Sequence, residues 1–323
     1  MTSEQAWLSP QWQVSVEQWL KEQLTKNGIQ PQGSLQKVSG WSLGHIYRQA
    51  TNQGDVYFKA TANLPLFSNE AQLCQKLSQL LPEHVPDTLA SCGERQWMIS
   101  KDFGGGLPED SDLSLWQAAF KQFSRLQLAS IEHSAELVQS GCLSREINEL
   151  PEQLGDALND SEITDCIPEA VLLNRESILA KVTNSVKQLA DFAIPSTLVH
   201  GDLHIENIAG AEDGFIFFDW SDACISHPFI DGTYIFRMPD SDEKQQIIKA
   251  YLSNWQEFAP MAELNKAWQL AEIVCYAHQA VSYASMKKSL PAAGIKDLEQ
   301  AFINAFKRLL TAAKRIEKQS LST

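Results

Sequence analysis

Residues 198–208 read LVHGDLHIENI, and after a short gap residues 217–220 read FFDW. Thr197, Leu198 and Val199 form a short apolar approach that predicts a strand. His200, Gly201 and Asp202 then turn the chain, and Gly201 supplies a backbone freedom that a side chain would resist. After Asn207 the chain continues NIAGAEDGFIFFD, in which Asp213-Gly214 is a hairpin turn signal. Such a hairpin sets Asn207 and Asp219 at the same end of two paired strands. An amide oxygen and a carboxylate placed side by side suit Mg2+, which completes its shell with waters and substrate phosphate. Asp202, five residues before Asn207, is displaced along the same loop. From there it can accept a hydrogen bond from an attacking hydroxyl. Two polar turns between strands would use the same residue types, so the reading depends on what surrounds them.

The 323 residues suffice for two domains or one two-lobed unit, and 44% hydrophobic with 20% charged residues describes a globular chain. Apolar runs such as FIFF are too short to span a bilayer. The start, MTSEQAWLSPQ, lacks the basic and apolar regions of a secretory signal, so a cytoplasmic location is expected. Cys74, Cys92, Cys142, Cys166, Cys224 and Cys275 are scattered and form no C-x-x-C pair, which reads as reduced thiols. A net charge of −14 argues against nucleic acid as partner. It is compatible with a cationic small substrate, though many soluble proteins are simply acidic.

Apolar spacing predicts a helix over 11–27 with Trp12, Val16, Trp19, Leu20 and Leu24 on one face, stopped by Asn27-Gly28. Strand-like LQKV, HIYRQAT and DVYFKAT follow, the last two joined by a turn at Asn52–Asp55. A helix is expected from about Ser68, then strands TLASC and QWMIS. Beyond the loop KDFGGGLPEDSD, helical spacing dominates: 113–131, 133–140, 146–158, 170–192, 243–257, 262–288 and 295–317. The interruption around 197–220 reads as strand, loop, strand, turn and strand. The plan is α+β: a β-rich region over 1–100, carrying the extra helix 11–27, and a mostly helical region over 101–323.

HGDLHIENI followed by FFDW resembles the aminoglycoside phosphotransferase and choline kinase group, whose two-lobed fold is similar to that of protein kinases. The resemblance implies that Asp202 is the catalytic base, that Asn207 and Asp219 hold Mg2+, and that His200, His204 and Asp231 support the catalytic loop. Asp231 also reads as a helix N-terminal cap. Glu206 departs from the group's pattern, which has Gly or a small residue there. VYFKA resembles the lysine-bearing third strand of a kinase lobe, so Lys59 would contact the nucleotide phosphates and Glu70 would pair with it. A Lys on an apolar strand needs such compensation, and Glu70 in a first helical turn is favoured by the dipole. SGWSLGHIYR, with Gly40, Ser42 and Gly44, occupies the place of the phosphate-covering loop. WMISKD falls at the interlobe hinge, where backbone groups near Ile99 and Lys101 would meet adenine. Asp102-Phe103-Gly104 spells DFG but lies about a hundred residues too early to be the metal signature, and is read as hinge loop.

After Asp219 the chain leaves no room for a long activation segment, no APE follows, and Gly201 replaces the Arg of HRD. These features point to a small-molecule hydroxyl as acceptor. Trp268, Glu272, Tyr276 and Gln279 form one helical stripe that could hold a cation, or be packing. The acidic run between Glu146 and Glu169 reads as a solvated helical face and linker. The function expected is ATP-dependent phosphorylation of an aminoglycoside-, choline- or sugar-like alcohol. A catalytically weak nucleotide-binding protein of this shape is the alternative. Metal-dependent phosphoesterase chemistry, which also uses GDLH, would need further Asp, Asn and His clusters.

Overall fold

The computed structural model describes Trp7 and residues 9–320. Helix α1 (Pro10–Lys26) is capped by the Ser9 hydroxyl, which accepts from the Trp12 N–H at 3.2 Å, with Pro10 pre-set at its first turn. Its buried face, Val16, Leu20 and Leu24, packs on a five-stranded antiparallel sheet of order β1-β2-β3-β5-β4. The strands are β1 (Pro31–Trp41), β2 (Gly44–Thr51), β3 (Gly54–Thr61), β4 (Thr88–Cys92) and β5 (Trp97–Lys101). β1 is longer than its LQKV centre and carries two register irregularities against β2. The β2–β3 turn is tight: Thr51 pairs with Gly54, which takes φ +101°. Trp12 and Trp19 meet Phe58 and Trp97 edge-on, so the extra helix serves as a lid on the outer face of the sheet.

Helix α2 (Glu70–Leu80) faces the other way. Its Leu73, Cys74 and Leu77 join the main core, which is otherwise built by the helical region. That region contains α3 (Leu113–Ser130), α4 (Leu150–Asn159), α5 (Arg175–Ala190), α6 (Thr233–Arg237), α7 (Asp242–Leu252), α8 (Met261–Ser289) and α9 (Ala292–Ser320), with short helical turns between them. The expected helix 170–192 is broken into Glu169–Leu172 and α5. At the break, the Asn174 amide donates to the Ala170 carbonyl at 2.7 Å and competes with the helical ladder. The helix expected from 146 begins only at Leu150, behind Pro151.

The segment 197–220 divides between two small sheets. β8 (Ile208–Ala211) and β9 (Gly214–Phe217) form the hairpin foreseen at Asp213-Gly214. β7 (Thr197–Val199) instead pairs with β10 (Cys224–Ser226), which also pairs with β6 (Leu143–Ser144). The observed architecture is therefore α+β and two-lobed, an antiparallel sheet region against a helical one. A third apolar cluster ties the two lobes: Leu43, Leu64 and Phe67 of the sheet region pack with Met286, Leu290, Ile295 and Leu298 of α8, α9 and the turn between them.

Candidate active site

Between the lobes lies a cleft of about 900 Å³, lined by Gly44, Lys59 and Thr61 above and by Gly201, Asp202, Asp219 and Asp222 below. Leu203, Ile205 and Ile208 are buried and anchor the short loop that carries Asp202, His204 and Asn207. Gly201 takes φ +83°, and a Cβ there would overlap the Asp222 carbonyl; this is why the position is glycine. Asp231 fixes the loop's backbone. Its Oδ2 accepts from the His200 N–H and its Oδ1 from the Gly201 N–H, both at 2.9 Å, and Gln127 Nε2 donates to Oδ2 at 3.0 Å. Burial pushes the Asp231 carboxyl up to about 7, against the pull of these three donors.

His200 is fully buried, and burial lowers its pKa to about 4, so the ring is neutral. Its Nε2–H donates to the Phe218 carbonyl at 2.9 Å and ties the HGDLHIEN loop to the segment that ends in Asp219. His204 lies 3.7 Å from Asp202 and 3.5 Å from Glu206. Glu206 itself is exposed, and it is not among the described non-glycine residues with positive φ, so no glycine is required there.

Lys59 on β3 is the centre of charge. Its Nζ lies 2.7 Å from Glu70 Oε1 and 2.7 Å from Asp219 Oδ1, which links the two lobes. Burial works against the ammonium, but the Asp219 and Glu70 carboxylates overcome it and hold its pKa above the ordinary value. Glu70 is 0% exposed and saturated: the Thr61 hydroxyl and the Trp220 N–H also donate to it. Burial raises its pKa, with Lys59 opposing. Asp219 is a non-glycine residue at φ +69°, a strained conformation that costs about 1–2 kcal/mol. It is held there by the Trp220 N–H bond to Glu70 and by the Phe218 N–H bond to the Asn207 carbonyl at 3.1 Å. The Asn207 side-chain amide donates to the Asp202 carbonyl at 3.0 Å, which leaves its Oδ1 as an acceptor. The Asp219 carboxylate is 42% exposed, and it and the Asn207 oxygen are hard donors of the kind Mg2+ takes.

Several expected residues fall elsewhere. Ser42 is buried beneath Gly294 rather than lining the cleft. Ile99 is paired on both sides, to Phe58 and to Ala90, and the Lys101 N–H is taken by the Asp87 carbonyl at 2.9 Å. The strand's own ladder therefore uses these positions, and the Lys101 side chain turns out to Asp87. Gly106 bridges to Ala209 and passes so close to the Glu206 carbonyl that a Cβ would overlap it.

The packing of α8 corrects the expected acceptor stripe. Trp268 is packed among Phe229, Phe236 and Tyr251. Glu272 is bound by Arg315, whose Nη1 donates to both of its oxygens at 2.7 and 2.8 Å. Tyr276 is buried, and none of the three lines the cleft. The C-terminal half of α8 does so instead, through Gln279, Ser282, Tyr283 and Met286.

Other site residues gave no motif in the sequence. The Tyr234 hydroxyl on α6 donates to Asp202 Oδ1 at 3.1 Å. Asp222 lines the cleft, and burial together with the charges of Asp202 and Asp219 pushes its carboxyl up to about 8 despite Arg145. Arg145 is buried, donates to the Ser282 hydroxyl at 2.9 Å, and leaves its Nε and Nη2 without partners among the described residues.

Solved structures share this arrangement of elements. The macrolide 2'-phosphotransferase type I is 16% identical with a TM-score of 0.60, covering 90% of this chain and 97% of that one. Choline kinase LicA from Streptococcus pneumoniae is 14% identical with a TM-score of 0.62, covering 93% and 99%. The APH(2")-IIIa structure described as a GDP and kanamycin complex is 16% identical with a TM-score of 0.59, covering 92% and 98%. At such identities the likeness shows the fold alone. No curated protein matches the chain by sequence. The profile of the phosphotransferase enzyme family, APH, matches residues 56–264, from the strand that carries Lys59, through the HGDLHIEN loop and Asp219, into α8, and by that match the chain belongs to this family.

Proposed function

We propose that the chain transfers the γ-phosphate of ATP to a hydroxyl of a small molecule. The observation that carries this reading is Lys59, which joins Glu70 of the sheet lobe to Asp219 of the helical lobe within one cleft that also presents Asp202. Lys59 would bind the non-transferred phosphates, its charge already held on by the two carboxylates. Asp202, positioned by Tyr234 and by the backbone bonds to Asp231, would accept the proton of the acceptor hydroxyl. The acceptor oxygen forms its bond to the γ-phosphorus as the bond from phosphorus to the β-γ bridging oxygen breaks. The products are a phosphate ester, ADP and a proton that leaves through Asp202. Asn207 and Asp219 would hold Mg2+, which when bound neutralises charge on the phosphates. Most of the acceleration in such chemistry comes from alignment and charge compensation.

Phosphoesterase chemistry of the dinuclear kind finds less support. Among the described residues no three His, Cys, Asp or Glu side chains converge as a metal site. The test of the main reading is Asp202→Asn, with Mg-ATP binding followed by thermal shift and transfer by ADP release over a panel of alcohols. Transfer should be abolished while the nucleotide-induced shift persists. Full turnover by this variant would remove Asp202 as the base.

A further inference from the structure

The wall that α8 gives to the cleft holds a side chain whose hydrogen bonding is only half used. Gln279 is 7% exposed and lines the cleft together with Ser282 and Tyr283. Its Oε1 accepts from Arg237 Nη2 at 2.9 Å. A guanidinium donates and never accepts, so this contact decides which way the amide is turned: oxygen towards Arg237, nitrogen away from it. The Gln279 Nε2 has no hydrogen-bond partner among the described residues, yet it is not sealed from solvent. Because the residue lines the cleft, its N–H groups are met from there.

The same arginine holds the other end of the site. Arg237 ends α6 and does not itself line the cleft. Its Cζ lies 4.2 Å over the ring of Tyr234, whose hydroxyl donates to Asp202 Oδ1 at 3.1 Å. One unbroken run of contacts, from Asp202 through Tyr234 and Arg237, therefore sets the Gln279 amide relative to the carboxylate below it. Ser282, three residues on, offers no such donor. Its hydroxyl donates to the His278 carbonyl at 3.1 Å and accepts from Arg145 Nη1 at 2.9 Å. An amide N–H this deeply placed and unpaired carries a cost that an oxygen lone pair of a bound molecule removes. A site built around such a donor rejects molecules that lack the matching atom.

We propose that Gln279 determines acceptor specificity: its Nε2–H donates to a second oxygen of the acceptor, a hydroxyl, carbonyl or ether, while the reacting hydroxyl lies at Asp202. Arg237 is the positioning residue that fixes the amide. This rests on the phosphotransferase reading above and narrows it. Sugar-like alcohols carry such a second oxygen. Choline does not, because its one oxygen is the reacting hydroxyl. Of the stripe expected from the sequence to hold a cation, only Gln279 reaches the cleft, and it presents a donor, with which an ammonium cannot pair.

Two measurements test it. The first is ADP release by the full chain with Mg-ATP and glucose, ribose, myo-inositol or dihydroxyacetone, against choline, ethanolamine and cyclohexanol. The best acceptor should come from the first four. For it, Gln279→Leu should raise KM about 10-fold or more, with a smaller change in kcat and none in the KM for ATP. Gln279→Glu keeps an oxygen for Arg237 and removes only the donor. It should raise KM as much where the second oxygen is a carbonyl or ether, and less where it is a hydroxyl, which can turn and donate to the carboxylate. Arg237→Met should follow Gln279→Leu, and Arg237→Lys, which still donates, should recover part of the loss; if Arg237→Met does not fold, the two Gln279 variants decide. A best acceptor among choline, ethanolamine and cyclohexanol, or an unchanged KM in Gln279→Leu, overturns the proposal. The second measurement is thermal shift with the same four compounds, with and without saturating Mg-AMP-PNP. A shift in the wild type that Gln279→Leu loses supports it, and neither shift nor turnover with any of the four overturns it. Failure of Mg-AMP-PNP itself to shift the melting point counts against the phosphotransferase reading instead, because the nucleotide-free titration reads Gln279 on its own.

Discussion

Replacing Asp231 by Asn tests how the loop that bears Asp202 is held. The carboxylate has two oxygens for three donors: Oδ1 takes the Gly201 N–H, and Oδ2 takes the His200 N–H and Gln127 Nε2. An amide in the same place has one oxygen. Turned towards the two-donor side, it leaves the Gly201 N–H facing an NH2 group, and one buried unsatisfied N–H costs about 1–3 kcal/mol. Charge adds a pH dependence. The folded carboxyl sits at about 7, against about 3.9 in an unfolded chain. Between those values the folded state binds the extra proton, so this group's contribution to stability is full below pH 4 and is lost as pH rises through 7. Three units amount to about 4 kcal/mol. The variant has no such titration. Urea unfolding of both proteins at pH 5, 6, 7 and 8 should therefore show the wild type ahead at pH 5 and the gap closing, or crossing, by pH 8. Turnover by the variant should fall by about 100-fold, because the loop bearing Asp202 loses its anchor. A gap that widens with pH would show that the three donors outweigh burial and hold the carboxyl low, refuting the dominance of burial at this site.

Lys59→Met removes the only cation within ion-pair distance of Glu70 among the described residues, and should cost about 3–5 kcal/mol. Because burial already raises the Glu70 pKa and Lys59 opposes it, the loss should be greater at pH 8 than at pH 5; chemical denaturation at both values checks this. Gly106→Ala should destabilise by about 1–3 kcal/mol and impair turnover, since its Cβ overlaps the Glu206 carbonyl under the catalytic loop. Gly105→Ala, whose Cβ meets nothing within 4 Å, should melt and turn over like the wild type. Glu272→Gln should leave kcat and KM unchanged and lower stability by no more than about 1 kcal/mol, as expected for a partly exposed pair; a raised KM for the acceptor would restore Glu272 to the site.

The parts of the site legible in the sequence are those whose geometry is local. The HGDLHIEN loop, the Asp213-Gly214 hairpin and the Lys on β3 each follow from a few adjacent residues, and Lys59, Asp202 and Asp219 line one cleft. The acceptor wall could not be read this way. Helix α8 buries most of its circumference, from Trp268 and Ala271 to His278 and Gln279, so its sequence has no single apolar face from which the cleft-facing turns could be told. Tyr234 reaches Asp202 from about thirty residues downstream, and Arg237 lies over its ring. No spacing rule joins them. Ile99 and Lys101 do lie on the strand before the hinge, but which backbone groups that strand keeps for itself depends on pairing with β3 and β4.

The apolar contact of Leu43, Leu64 and Phe67 with Met286, Leu290, Ile295 and Leu298 fastens the lobes at a place remote in sequence from the connecting chain at 101–106. A molecule stitched along two seams is restrained from opening wide. Whatever binds the cleft would then come and go through the mouth left between the seams, and prising the non-covalent one apart means wetting those seven side chains. Such a clasp loosens in the cold, because apolar burial weakens on cooling, so the ease of exchange is built into the temperature at which the protein works.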